Sequence, residues 1–282
     1  MPLDDTLWRL DLDVPAPALD AATAAAEALG AQGVAIIDAD TGAPPDRAIV
    51  QSWHPPDADP HALAAAARAA LAACADARVA LTREATHWRA ALDSAPLTVA
   101  GFTIGPALDP GPRALRLDPT SAFGGDHPTT ALCLEALTAL CAERPPARAL
   151  DVGTGTGVLA LALARLGAGH VVATDIDPLA RAAAARHAAA NGLQDRVTVQ
   201  AALPDARYDL IVANLYLGPL LALAPALITR LAPGAPLVLS GVAPRHQPAL
   251  AAAYPLTPRA TRERDGWLAW IVASPPTEEA PR

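Results

Sequence analysis

The segment that most constrains this chain runs from Ala149 to Asp177 and reads ALDVGTGTGVLALALARLGAGHVVATDID. A short apolar strand ends in an acid, Asp151. A turn follows with glycine at every second position: Gly153, Gly155 and Gly157. An apolar helix comes next, and then a second apolar strand ending in Asp175. Glycine crosses into left-handed backbone without steric cost and lets the chain pass close to a ligand. Two apolar strands joined by one helix pair in parallel, and the turn at their carboxyl ends opens a nucleotide-type pocket. The segment therefore calls for a doubly wound α/β sheet.

From His127 onward the pattern alternates helix and strand, as in a parallel sheet covered on both faces. Strands are expected at Ala147–Val152, His170–Asp175, Arg196–Gln200, Tyr208–Asn214 and Pro236–Gly241. Near the end, Pro258–Ala273 contains Arg264-Asp265-Gly266, a hairpin turn signal. The fold class read here is α/β, a Rossmann-like seven-stranded sheet closed by an antiparallel hairpin.

The first third reads differently. Leu7–Val14 alternates polar and apolar residues as a half-buried strand does. Ala16–Ala31 is helical by composition, Gly33–Asp40 and Ala48–Trp53 read as strands, and Thr41–Arg47 as a turn-rich loop. Asp59–Ala75 is an alanine helix opened by Asp59-Pro60, and Arg78–Arg83 a fourth strand. That order, strand, helix, strand, strand, helix, strand, is a ferredoxin-like α+β unit. No catalytic constellation stands out in it. The domains expected are 1–85, a linker helix within 86–96 centred on Thr86–Asp93, and 97–282. In the last of these, Leu97–Leu117 reads as strands broken by prolines.

Composition narrows the function. All 21 basic residues are arginine, against 29 acids, for a net charge of −8. That balance argues against broad nucleic-acid binding. Residues 1–95 hold 6 Arg and 14 acids, whereas residues 96–282 hold 15 of each. The first third would steer a basic partner, or serve merely to solubilise. Cys74, Cys133 and Cys141 share no metal-type spacing and read as reduced packing residues, so no metal is expected. MPLDDTLWRL is no signal peptide. The apolar run Leu215–Thr229 is too short to span a bilayer and holds two prolines. A cytoplasmic protein without a membrane partner is expected.

The glycine turn separates two ligand classes. A dinucleotide fingerprint wants a glycine three places after Gly155, where Val158 stands. S-adenosylmethionine has no pyrophosphate to rest on a helix end. It needs the turn to pass beneath its amino-acid and ribose parts, so Gly153, Gly155 and Gly157 point to that cofactor; a purely structural glycine turn is the plain alternative. Asp175 can accept from both ribose hydroxyls, although nicotinamide enzymes use an acid there too. Asp177-Pro178 reads as a helix cap. Asp151 either holds the turn or meets the ligand's ammonium. Asn214 ends a buried strand, where its amide can help aim an amine lone pair, or else it caps the next helix. Tyr216 either walls the acceptor channel or simply packs.

Ala122–Thr130 reads AFGGDHPTT. Asp126 and Pro128 are start signals for the helix that follows. Its free amides and the Thr130 hydroxyl suit the carboxylate of the methionine part. Gly124 and Gly125 suit a loop that closes over the ligand. Phe123, Asp126 and His127 would then line the substrate channel with Tyr216, His127 being otherwise a structural histidine.

At these residues the chain resembles the ribosomal protein L11 methyltransferase family. The family's loop reads AFGTGTHPTT, against AFGGDHPTT here. Its glycine turn, its DIDP and its VAN correspond to Gly153–Gly157, Asp175–Pro178 and Val212–Asn214. The likeness extends over nearly the whole chain, including a small N-terminal ferredoxin-like domain that grips the ribosomal protein. The resemblance implies methyl transfer from S-adenosylmethionine to lysine side chains and the N-terminal amine of ribosomal protein L11, free or ribosome-bound. It places cofactor contacts on Thr130, Gly153, Asp175 and Asn214. The loop here is one residue shorter than the family's and carries Asp126 where a neutral residue is usual. Two other readings stay open: a methyltransferase of this fold acting on another protein or a small amine, and a non-catalytic S-adenosylmethionine-binding protein.

Overall fold

In the first strand, β1 (Thr6–Pro15), every second side chain from Leu10 is buried: Leu10, Leu12 and Val14. That period of two is what a sheet with one covered face requires. The covering helices are α1 (Leu19–Ala28) and α2 (Pro60–Ala70). The remaining strands are β2 (Gly33–Ile37), β3 (Arg47–His54) and β4 (Arg78–Ala85), in the sheet order β2-β3-β1-β4 with every pairing antiparallel. Both element order and sheet order are those of a ferredoxin-like unit. Ala22, Ala26 and Ala67 are fully buried beside Val50 and Leu71, so the alanines let helices lie close on the sheet. Asp59 caps α2 by accepting from His61 N at 2.9 Å and Ala62 N at 3.3 Å.

These elements belong to one of two compact units, Met1–Ala91 and Leu92–Arg282. The computed structural model describes residues 6–31, 33–37, 43–74, 76–85, 96–106, 108–109, 111–117 and 127–276. The expected connecting helix at Thr86–Asp93 lies outside the described residues.

The second unit opens with a small sheet of β5 (Leu97–Val99), β6 (Phe102–Gly105) and β7 (Ala114–Arg116). Phe102, Ile104 and Leu115 enter the same core as the first two helices that follow. Next come α3 (Pro128–Glu143), β8 (Arg148–Val152), α4 (Val158–Arg165), β9 (His170–Thr174), α5 (Pro178–Ala190) and β10 (Val197–Gln200). The chain continues through β11 (Leu210–Asn214), α6 (Leu217–Arg230), β12 (Pro236–Val242), α7 (Gln247–Ala253), β13 (Thr257–Arg264) and β14 (Trp267–Ala273).

Seven of these strands form one sheet in the order β10-β9-β8-β11-β12-β14-β13. Pairings are parallel from β10 to β12, and β14 runs antiparallel to both its neighbours. The hairpin turns at Asp265 and Gly266, both with positive φ, which is the geometry of a primed two-residue turn. The sheet separates two apolar layers. One holds Ala149, Val171 and Val212 against α3 and α4; the other holds Leu150, Ile211 and Leu239 against α6 and α7. Burying a leucine such as Leu150 contributes roughly 1.5–3 kcal/mol. Most strand limits differ from expectation by a residue or two; β9 stops at Thr174, so Asp175 stands just past the strand end.

Strand order reverses between β8 and β11. The chain runs outward from β8 to β9 and β10, then returns to place β11 on the other side of β8. A sheet of this kind opens a crevice where the order reverses, at the carboxyl ends of the strands.

Candidate functional site

The crevice is lined first by the glycine turn between β8 and α4. Gly153, Gly155 and Gly157 have φ of 70°, 52° and 86°, all left-handed. The turn is pinned to the next strand, since Gly153 N and Thr154 N both donate to the Thr174 carbonyl, at 2.8 and 2.9 Å. A Cβ on Gly153 would strike the Leu215 side chain. A Cβ on Gly155 would meet nothing within 4 Å, so at that position the turn faces open space rather than packing.

Asp151 resolves one alternative and sharpens the other. Its Oδ2 accepts from Thr154 Oγ1 at 2.6 Å and from Ala160 N at 3.1 Å. Helix α4 is capped by Gly157, which has no side chain to offer, so the strand residue supplies the missing N-terminal acceptor. This half of the carboxylate holds the turn. The other oxygen, Oδ1, is buried and has no hydrogen-bond partner among the described residues. Burial pushes the Asp151 carboxyl up to about 7; the bonds from Thr154 and Ala160 oppose that shift, and the Asp175 charge adds to it. A buried carboxylate with one orphaned oxygen is a costly arrangement unless a cation or donor approaches it.

Asp175 projects at the tip of β9. Its Oδ2 accepts from Gly155 N at 2.9 Å and its Oδ1 from Asp177 N at 3.0 Å. A carboxylate has about four lone-pair sites, so each oxygen retains acceptor capacity. Asp177 caps α5 by accepting from Leu179 N at 2.8 Å, as its position before Pro178 suggests. Ile176, between the two acids, is 91% exposed.

Asn214 ends β11 on the far side of β8. It is not a helix cap; that position of α6 falls to Tyr216. Instead its Nδ2 donates to Thr129 Oγ1 at 3.2 Å. The same hydroxyl lies 2.7 Å from His127 Nδ1, and His127 caps α3 by accepting from Thr129 N. Of the two expected start signals, Asp126 and Pro128, Pro128 is the first helical residue, and His127 holds the capping position before it. The His127 ring also meets Trp267 edge-on, with centroids 5.0 Å apart. Asn214, Thr129, His127 and Trp267 thus form one contact chain from β11 through α3 to β14. Thr130 is buried next to Thr129, and Tyr216 is largely exposed. Phe123 and Asp126 lie outside the described residues.

Several contributors escape a reading of motifs. Leu215 is clamped between two glycines. Its side chain fills the space over Gly153, and its backbone lies against Gly241, where φ is 89° and a Cβ would collide with the Leu215 carbonyl. Gly241 also marks a register shift between β12 and β14. Only a glycine in an otherwise apolar strand signals this. Thr129 rather than Thr130 is the partner of Asn214, and two adjacent threonines give no hint of which one turns inward.

The family model described as ribosomal protein L11 methyltransferase (PrmA) matches residues 6–274. A ribosomal protein L11 methyltransferase of Brucella suis is 42% identical over 174 residues, 57% of this chain and 61% of that protein. One from Bordetella parapertussis is 48% identical over 158 residues, 55% of this chain and 50% of that protein. The chain thus spans about half to three-fifths of the length of these curated relatives. The crystal structure of a ribosomal protein L11 methylase from Lactobacillus delbrueckii subsp. bulgaricus superposes with a TM-score of 0.56 at 30% identity, covering 62% of this chain and 95% of that one. With a family model matched across both units, this chain belongs to the ribosomal protein L11 methyltransferase family.

Proposed function

We propose that the chain is an S-adenosylmethionine-dependent protein methyltransferase that modifies lysine and N-terminal amines of ribosomal protein L11. The observation that carries this reading is the convergence at one switch point. The open face of Gly155, the spare lone pairs of Asp175, the orphaned Asp151 Oδ1 and the Asn214 amide stand at the carboxyl ends of the adjacent strands β8, β9 and β11. Each fits a part of the cofactor. Asp175 accepts from the ribose hydroxyls while still holding Gly155. Exposed Ile176 offers an apolar wall to the adenine ring. Gly153 to Gly157 carry the chain beneath the ribose and amino-acid parts. Asp151 Oδ1 takes the ammonium and the Thr130 hydroxyl takes the carboxylate. The first-turn amides of α3, expected to be free, are spent on His127, Thr129 N on its Nδ1 and Thr130 N and Ala131 N on its carbonyl.

When bound, the cofactor would supply a methyl group on a positively charged sulfur, open to in-line attack by a neutral amine, with S-adenosylhomocysteine as the leaving group. A lysine ammonium must first lose its proton, at a cost of about 4–5 kcal/mol at neutral pH, against about 1 kcal/mol for an α-amine. Because Asn214 spends its Nδ2 on Thr129, its amide oxygen is the end turned to the acceptor. That oxygen accepts from the amine N–H and aims the lone pair. His127 and Tyr216 line the approach in this reading. Positioning of this kind supplies most of the acceleration.

The N-terminal unit, residues 1–85 in this reading, grips the ribosomal protein. Its acidic charge suits a basic partner and requires no direct contact with nucleic acid, and the reaction is placed in the cytoplasm as part of the same reading. The test is incubation of the full chain with methyl-labelled S-adenosylmethionine and unmethylated ribosomal proteins, read by intact mass. Methyl-sized steps confined to L11 are expected. Steps on another protein, or cofactor binding without any transfer, would overturn the assignment.

A further inference from the structure

Helix α5 carries a buried imidazole that the reaction does not use. His187 is 2% exposed, and its Nδ1 stands 2.7 Å from the carbonyl oxygen of Thr156. A carbonyl only accepts, so Nδ1 bears the proton and donates. Thr156 is the residue between Gly155 and Gly157, itself buried.

Two further contacts join α5 to the same turn. A Cβ on Gly157 would lie 3.2 Å from Ala184, one helical turn before His187. Gly155 N donates to Asp175, just ahead of the helix. Two successive residues of the turn are thus held by hydrogen bonds, Gly155 by Asp175 and Thr156 by His187, and Gly157 is packed closely against Ala184. The far end of α5 is fixed as well. Asn191 Nδ2 donates to the carbonyls of His187 and Arg116, both at 2.8 Å, and its Oδ1 accepts from Arg116 N at 2.9 Å.

A turn with glycine at alternate positions has little conformational preference of its own. The peptide from Thr156 to Gly157 has its N–H on the Thr154 carbonyl, at 2.8 Å, and its C=O on His187. The donor in the core is the second of two holds on this peptide, and any population in which the peptide leaves its native orientation lowers apparent affinity in proportion.

We propose that His187 is a positioning residue for the cofactor turn, acting through the Nδ1–H to the Thr156 carbonyl; this rests on the reading of the turn as an S-adenosylmethionine site. The test compares His187→Ala, His187→Asn and His187→Gln in the full chain. An asparagine amide nitrogen sits where the imidazole Nδ1 sits, whereas a glutamine amide reaches one bond farther. His187→Ala should raise the dissociation constant and KM for S-adenosylmethionine about tenfold, the scale of one lost hydrogen bond, with kcat nearly unchanged. His187→Asn should restore most of that affinity, and His187→Gln should not. If His187→Ala does not fold, the Asn and Gln variants decide the matter between themselves.

Equal affinity in the native chain and the variants, or lowered melting temperatures with no difference in affinity, would overturn the proposal. Nitrogen-15 NMR of the native chain gives an independent readout, the His187→Asn spectrum identifying the ring. Protonation at Nδ1 is expected, and protonation at Nε2 alone would overturn it. A native chain that binds no S-adenosylmethionine would remove the cofactor reading itself, and this proposal with it.

Discussion

Replacing Asp151 by Asn tests whether the orphaned oxygen beneath the glycine turn is meant for a ligand. The wild-type carboxyl is pushed up to about 7 by burial, against about 3.9 in an unfolded chain. An acid whose folded pKa is raised holds more protons in the native state than in the unfolded state between those two values. Stability therefore falls as pH rises through the window and levels off above it. The full difference corresponds to about 4 kcal/mol as a ceiling, of which about 3 kcal/mol falls between pH 5 and pH 8. In a unit of this size that is roughly 6–12 °C in melting temperature.

Asparagine keeps the acceptor for Thr154 and Ala160 and carries no charge, so its melting temperature should lack this component of the pH slope. At pH 8 the ligand-free Asp151→Asn chain should melt higher than the native chain. Its affinity for S-adenosylmethionine should nevertheless be lower, because the ammonium loses its counter-charge. Calorimetric melts at pH 5 and 8, with and without cofactor, measure both effects. Parallel pH slopes in the two chains, or unchanged cofactor affinity in the variant, would refute the reasoning.

Three further outcomes follow from the geometry. Gly241→Ala should destabilise the second unit by about 3 kcal/mol or more, since left-handed strain adds to a backbone collision with Leu215, whereas Gly155→Ala should cost about 1 kcal/mol yet weaken cofactor binding; thermal melts with cofactor titration separate the two. Thr129→Val, which removes the partner of Asn214, should lower kcat about tenfold, whereas Thr130→Val should act mainly on KM for S-adenosylmethionine; steady-state kinetics distinguish them. Burial pushes the Cys133 thiol up to about 12 and Cys141 up to about 11, so maleimide at pH 7.5 should label Cys74 first, as peptide mapping will show.

The site was legible in the sequence where chemistry sits in consecutive residues. Asp151, the three glycines and Asp175 could be placed because a strand, a turn and a helix follow one another in a single stretch. The switch point followed because helix and strand alternate with fixed handedness. What the sequence conceals is mostly contact between distant elements. Leu215 fills the space over Gly153 and requires Gly241, 26 positions farther on. The hydroxyl that meets Asn214 belongs to Thr129 because α3 starts at Pro128, a phase set by packing against β12 and β14. His187 sits in an alanine-rich helix with no motif around it, and only the fold brings it to Thr156. In the first unit, alternation disclosed β1, whereas α1 and α2 are shorter than their alanine-rich sequences suggest because alanine favours helix on both sides of a boundary.

The central claim is that the crevice between β8, β9 and β11 holds S-adenosylmethionine. It is tested most directly by calorimetric titration of the full chain with that cofactor, beside the Asp175→Ala variant. Two charge-assisted hydrogen bonds to the ribose should make the variant roughly a hundredfold weaker or more, with the native chain binding one equivalent. Equal affinity in the two chains would place the cofactor elsewhere and contradict the account.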